Sequence, residues 1–213
     1  MKNYSDYFNT NLKDKLVHDG TAIFQRSLLE SPDSYIAIRG DEEINVLMQS
    51  TSNYNERRIL SKHDDVSWGD VLMMDGESWL VTERPYFNKI HDKTKIRLCN
   101  NEMKFTKIIP GELIGYDDLD SPIYSDEREE EVFINCVVES ISDLNTKTST
   151  GQQINVPDGD MVLQIQNTDN ELIVYNSTFE MYGTTYRISG IDRSKVLKNK
   201  GVLILVVSRT ANT

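Results

Sequence analysis

Cysteine is scarce: Cys99 and Cys136 are the two present in 213 residues. That excludes a disulfide framework for a chain of this size, and both are expected as reduced, partly buried thiols. No apolar run approaches the roughly 20 residues needed to cross a bilayer as a helix, so no membrane partner is expected. The opening stretch MKNYSDYFNTNLKDK has no apolar core, so no secretory signal is expected and folding in a reducing cytoplasm is. Positive charge is in deficit, with 23 Lys and Arg against 34 Asp and Glu and a net charge of −11. This argues against binding that gains its affinity by neutralising phosphates. It suits a protein that assembles with others, or whose surface must not adhere to nucleic acid.

Histidine is equally sparse. His18, His63 and His91 form no HxxxH or HExxH pair, and His91 with Cys99 falls short of the four ligands of a closed zinc site. No GxSxG elbow, P-loop or GxGxxG follows a strand pattern. The expectation is a non-enzymatic protein with no cofactor, no metal and no catalytic residue.

What is present is enough apolar sequence for a core (38%) and a strong β pattern. Phe8, Leu12 and Leu16 recur every four residues after Ser5, predicting a first helix to about residue 18 that stops at Gly20. A second helix is expected over 21–30, ending before Ser31-Pro32. From Tyr35 the period changes to two. YIAIR and INVLMQ flank a Gly-Asp turn, so Arg39-Gly40-Asp41 reads as turn chemistry rather than as an adhesion tripeptide. The clearest hairpin is GDVLMM-DG-ESWLVTE, followed by the strand KTKIRLCN. Beyond residue 131 come EVFINCVVESI, DMVLQIQN, NELIVYN, TTYRISGI and GVLILVVSR, again short strands separated by turns.

One unit reads as though built twice. Gly76 and Gly183, Trp79 and Tyr186, and Val81 and Ile188 are each 107 positions apart. At the same offset Leu72 meets Phe179, Met74 meets Met181, Ile96 meets Leu203 and Leu98 meets Leu205. The glycines fall at turns and the other four of the first six at core positions, so the echo describes building blocks rather than a duplicated active site. The expected fold is mainly β: two small β-barrel or sandwich-like modules with an α-helical N-terminal extension. The boundaries read as 1–33 for the extension, 34–105 for the first module, 106–131 for an acidic linker and 132–213 for the second module.

Within the linker stand Asp117, Asp118, Asp120, Asp126, Glu127, Glu129, Glu130 and Glu131. They lack the D-x-[DN]-x-[DN]-G spacing of a calcium loop. A solvated linker or a contact with a channel lumen, or with a basic surface on a neighbouring subunit, are the readings they leave. Trp68, Trp79 and Tyr86 would form the stacking surface if the chain were a small-molecule or carbohydrate-binding β module.

The order FQRSLLESP, a hairpin around RGDEE, NERRIL, SWGDVLMMDGESWLVTE and KIRLCNN resembles virion proteins of tailed phages that infect Gram-positive bacteria. ELIVYNSTFEMYGTTYRISGIDRSKVLKNKGVLILVV is similar to the closing hairpin of that family, so the likeness spans about residues 22–207. It implies a connector (head-completion or stopper) subunit forming a ring between portal and tail around the DNA channel. The partners implied are further copies of itself in six- or twelvefold cyclic symmetry, a portal or adaptor ring on the head side and tail proteins on the other. Genomic DNA would pass through without sequence-specific binding. The implied location is the virion neck, after synthesis and assembly in the host cytoplasm. A tail-completion, collar or baseplate-hub protein is the alternative virion role.

Overall fold

The computed structural model describes residues 11–116, 121–139 and 160–210. By packing, the chain divides into two compact units, one of residues 1–99, 164–168 and 192–204, the other of residues 100–163, 169–191 and 205–213.

The first unit opens with one helix, α1 (Leu12–Glu30), where two were expected. Asn11 caps it by accepting from the Lys13 N–H. The helix runs through Gly20 because this glycine serves a close approach instead of a stop: a Cβ there would lie 2.6 Å from Ile90 Cδ1. Its end falls before Pro32, as the proline requires. Ser34 Oγ donates to the Leu28 carbonyl, tying the last turn to the first strand. Phe24 and Leu28 are the residues it buries.

Seven strands follow: β1 (Ser34–Arg39), β2 (Glu42–Ser50), β3 (Glu56–Ser61), β4 (Val71–Met74), β5 (Glu77–Val81), β6 (Tyr86–Phe87) and β7 (Asp92–Leu98). Their order is β3-β2-β1-β4-β5-β7, and β3 pairs again with β7, which closes six strands into a barrel with the two-residue β6 attached to β7. Closure removes the exposed edges that an open sheet would leave. Period-two burial then sends one face of each strand inward. Ala37, Val46, Ile59, Leu72, Trp79 and Ile96 share a single core.

The remaining strands are β8 (Asn101–Ile109), β9 (Leu113–Tyr116), β10 (Pro122–Tyr124), β11 (Arg128–Glu139), β12 (Asp160–Gln166), β13 (Thr178–Met181), β14 (Thr184–Asp192), β15 (Val196–Leu197) and β16 (Lys200–Arg209). Six of them close by the same rule in the order β12-β11-β8-β13-β14-β16, with β12 pairing β16 and the short β15 attached to β16. Replacing each strand by its rank in the chain gives the same circular order in both barrels. The protein is therefore mainly β, with two six-stranded barrels and one N-terminal helix. The core of the second unit includes Met103, Phe105, Phe179 and Tyr186, with ring centroids 5.5 Å apart for Phe105–Phe179 and 5.9 Å for Phe179–Tyr186.

The span 106–131, expected as a linker, carries strand instead. β8 continues to Ile109, and β11 pairs with it over nine positions from Arg128↔Ile109 to Cys136↔Asn101. Between them β9 and β10 form a two-stranded sheet of their own. The second barrel therefore begins at Asn101, and Glu129, Glu130 and Glu131 of the acidic run lie in the first residues of β11.

Candidate functional site

The residues singled out by the repeat occupy turn and core positions. Gly76 (φ +80) and Gly183 (φ +66) each follow a residue of positive φ, Asp75 (+51) and Tyr182 (+53). Two successive left-handed residues are the type I′ geometry whose twist suits a two-residue hairpin. Trp79, Val81, Tyr186 and Ile188 are buried. Burial of Trp79 removes it from the stacking surface proposed for a ligand; the Arg57 guanidinium lies 5.8 Å from its ring centroid. Of the acidic residues, Asp126, Glu127, Glu129 and Glu130 are exposed, and Glu131 is paired with Lys104 at 2.6 Å. Asp117, Asp118 and Asp120 lie outside the described residues.

Chemistry converges elsewhere, in the first unit, where Trp68 and Tyr86 meet His63, a histidine that no motif singles out. A cleft of about 710 Å³ is lined by His63, Trp68, Arg84, Tyr86, Phe87 and Asp92 among others. Its floor forms where β3 ends. Ser61 pairs with Asp92 at the start of β7, and the chain then turns through residues 62–65, closed by the Asp65 N–H donating to the Lys62 carbonyl at 3.3 Å. Asp64 takes φ +67 in this turn, and its N–H donates to Asp92 Oδ2 at 3.0 Å. His63 Nδ1 lies 3.2 Å from each Asp92 oxygen. The other face of the imidazole stacks on Phe87, with centroids 4.0 Å apart and planes 21° from parallel.

The opposite wall is a second turn. The Ser67 N–H donates to Asp70 Oδ2 at 2.8 Å, and the Trp68 indole N–H donates to the Thr82 carbonyl at 3.1 Å, fixing the ring. Gly69 is obligatory here: at φ +88, an added Cβ would sit 1.9 Å from the Gly201 carbonyl oxygen. The β15–β16 turn, with Lys198 (φ +51) and Asn199 (φ +62), brings Leu197, Lys198 and Lys200 to the rim. Lys200 Nζ donates to Ser67 Oγ at 2.8 Å. Arg84 and Lys198 have no hydrogen-bond or ion-pair partner among the described residues.

The outcome is an aromatic floor under a rim where Arg84, Lys198 and Lys200 outnumber the exposed Asp64, with Asp92 buried below, in a protein that is strongly acidic overall. Such a surface takes an anionic group attached to an apolar or aromatic body. His63, Asp64 and Asp92 also bring one ligand atom each within 4.8 Å of one another. Asp92, however, already accepts from His63 and the Asp64 N–H, so its orientation serves the turn. No sequence motif links His63 to Asp92, 29 positions away; their meeting depends on the β3–β7 closure.

The YomX N-terminal domain family matches residues 6–98 and the YomX C-terminal domain family matches residues 82–208. A protein described as SPbeta prophage-derived uncharacterized protein YomX, of Bacillus subtilis (strain 168), is 30% identical over 214 residues, covering 98% of this chain and 97% of that protein. No solved structure gives a significant match. Two domain matches that overlap over residues 82–98 and together span most of the chain, and a relative similar from end to end, establish that the chain belongs to the YomX family.

Proposed function

We propose that this protein is a non-enzymatic structural subunit of a phage neck, a connector of the head-completion or stopper kind that forms a ring between portal and tail. The prophage origin of its relative supports a phage role. The single observation that carries the assembly reading is the β9–β10 hairpin. It pairs with neither barrel sheet, and Leu113, Ile114, Tyr116 and Tyr124 on it are exposed, Ile114 at 69%. A two-stranded hairpin has marginal stability alone, and apolar side chains clustered on one suit a protein partner. Two barrels closed to edge pairing supply stiffness and resist unplanned association. Acidic loops facing a channel would repel DNA phosphates and let the duplex slide. The ring would consist of copies of this chain in six- or twelvefold symmetry, with a portal or adaptor ring on one side and tail proteins on the other.

Mass spectrometry and electron microscopy of purified virions test this. The protein is expected in the particle at the head–tail junction, and its deletion is expected to yield filled heads without tails. Particles that lack the protein, with deletion leaving tailed virions intact, would overturn the reading.

A second reading rests on the cleft. Trp68 and Tyr86, the latter 71% exposed, line one cavity together with His63. A small ligand that stacks there would quench tryptophan fluorescence, and Trp68→Phe would alter that quenching. Titration with a panel of monosaccharides and nucleotides separates this reading from assembly.

A further inference from the structure

We infer that the aromatic cleft rimmed by Arg84, Lys198 and Lys200 is the receptor for the acidic segment 124–129 on a second copy of this chain, making a head-to-tail interface. The inference rests on the ring reading above and names the two surfaces that would build the ring.

The receptor has two properties that call for an anionic occupant with an aromatic body. Arg84 and Lys198 stand at its rim without partners among the described residues. Tyr86, Phe87 and Trp68 supply flat apolar surface below them, with Tyr86 and Phe87 exposed. Lys200 adds a third cation, held in place by Ser67, so three cations line the cleft against two carboxylates, Asp64 and Asp92, and Asp92 is already engaged by His63 and the Asp64 N–H.

The chain itself carries a segment of matching chemistry. Tyr124, 61% exposed, is followed directly by Ser125, Asp126, Glu127, Arg128 and Glu129. Asp126, Glu127 and Glu129 are exposed and have no ion-pair partner among the described residues. Glu129 stands opposite Ile108, which is also exposed, so no cross-strand cation answers it. Charge complementarity therefore exists between two different patches of one chain. Two different patches that fit each other make a heterologous interface, the kind that generates a closed ring when the rotation between neighbours is right. A symmetric pairing of like patches would set cation against cation and acid against acid.

Sedimentation velocity of the full chain over a concentration series is the test, at low and at high salt. The wild type is expected to associate, with association weakening as salt screens the charges. Arg84→Glu with Lys198→Glu, and separately Asp126→Lys with Glu127→Lys and Glu129→Lys, are each expected to weaken association by about tenfold or more. These side chains are exposed, so the variants keep the fold; circular dichroism checks this, and Arg84→Ala with Lys198→Ala serves if the reversed cleft variant unfolds. Mixing the two reversed proteins is expected to restore association with alternating copies, and one chain carrying all five changes is expected to associate by itself.

A wild type that stays monomeric throughout, a reversed variant that associates like the wild type, or a folded mixture that fails to recover would each overturn the inference. The neck reading fails separately. If virions lack the protein but association follows the charge swap, the interface stands and the neck assignment falls. If the protein sits in the neck and the reversed variants associate normally, the interface falls and the neck assignment stands.

Discussion

His63 presents Nδ1 at 3.2 Å from both carboxylate oxygens of Asp92, whose side chain is only 5% exposed. The matching position of the second barrel explains why a buried acid is tolerated. The Thr82 hydroxyl donates to the Lys95 carbonyl, as the Ser189 hydroxyl does to that of Val206. The Cys99 N–H donates to the Ser78 carbonyl, as the Thr210 N–H does to that of Thr185. These equivalences place Leu203 where the first barrel has Asp92, and Leu203 is fully buried. The barrel accepts an apolar residue at this point, so Asp92 is present for the 62–65 turn.

Asp92→Ala is accordingly expected to lower stability by about 1–3 kcal/mol, the loss of hydrogen bonds to a charged acceptor together with the space left in the barrel. Asp92→Asn, which keeps one acceptor oxygen for the Asp64 N–H, is expected to cost less. Asp92→Leu should preserve the barrel while releasing the turn. Urea unfolding measures the first two, and amide exchange at Asp64 isolates the third: fast exchange with a near-normal unfolding midpoint is the expected result.

Four glycines separate two kinds of cost. At Gly76 and Gly183 a Cβ would meet nothing within 4 Å, so alanine there pays only for positive φ, about 1–2 kcal/mol. At Gly69 and Gly201 the added Cβ would lie 1.9 Å and 2.1 Å from carbonyl oxygens, of Gly201 and Lys195 respectively. Backbone must move to admit it. Gly69→Ala and Gly201→Ala are therefore expected to lower the thermal midpoint clearly more than Gly76→Ala and Gly183→Ala, by calorimetry of the four variants side by side.

The same equivalences show how far the repeat could be read in the sequence. Its hairpin reads true at 107 positions: the Gly69 N–H donates to the Val81 carbonyl and the Asn176 N–H to that of Ile188. Asn176, with φ +68, even supplies the left-handed backbone of Gly69. The closing strand does not keep that offset. Cys99 and Thr210 are 111 positions apart, so Ile96 corresponds to Val207 and Leu98 to Arg209, where the sequence pairs them with Leu203 and Leu205. Four extra residues between β14 and β16 shift the register, and a strand of unbroken apolar residues such as VLILVV offers no alternation to reveal it. The acidic run hid the first residues of β11, since Glu129, Glu130 and Glu131 have low β propensity and are held by pairing with β8, while the strand from Glu131 onward was legible as EVFINCVVESI. The cleft was legible only through Trp68 and Tyr86. His63, Asp92 and Lys198 come together by barrel closure and a hairpin turn, which leave no local pattern.

Burial pushes the Cys99 thiol up from 9.0 to about 12, against a smaller opposing effect of a backbone hydrogen bond with Leu80. Above pH 9 the unfolded chain loses this proton and the folded chain keeps it, so stability falls as pH rises between about 9 and about 12. The slope is at most about 1.4 kcal/mol per pH unit. Cys99→Ala is expected to flatten that part of the profile; the difference between the two profiles removes the contribution of tyrosines. Native protein at pH 8 is expected to react with a thiol reagent slowly at Cys99 and at the fully buried Cys136, and rapidly after unfolding.

His91 links acid stability to the docking of α1. Its ring packs on Phe24 of the helix with centroids 4.9 Å apart. Asn88 Oδ1 accepts from the N–H groups of Ile90 and His91, which turns the amide nitrogen toward His91 Nε2 at 3.2 Å and makes Nε2 the acceptor. Nδ1 is buried without a partner, and burial, then Lys93, lowers the pKa below 6.5 against a smaller opposing pull from Asp92. As pH falls through 6.5 the unfolded chain takes the proton first, so this contribution to stability is whole above pH 6.5 and is lost below it. The thermal midpoint of the wild type is expected to fall between about pH 7.5 and about pH 5 more steeply than that of His91→Phe, which keeps a ring against Phe24 and cannot be protonated. Protection of the α1 amides, taken relative to their intrinsic exchange rate at each pH, should fall over the same range in the wild type alone. Equal slopes for the wild type and His91→Phe would show that this histidine does not couple protonation to the fold.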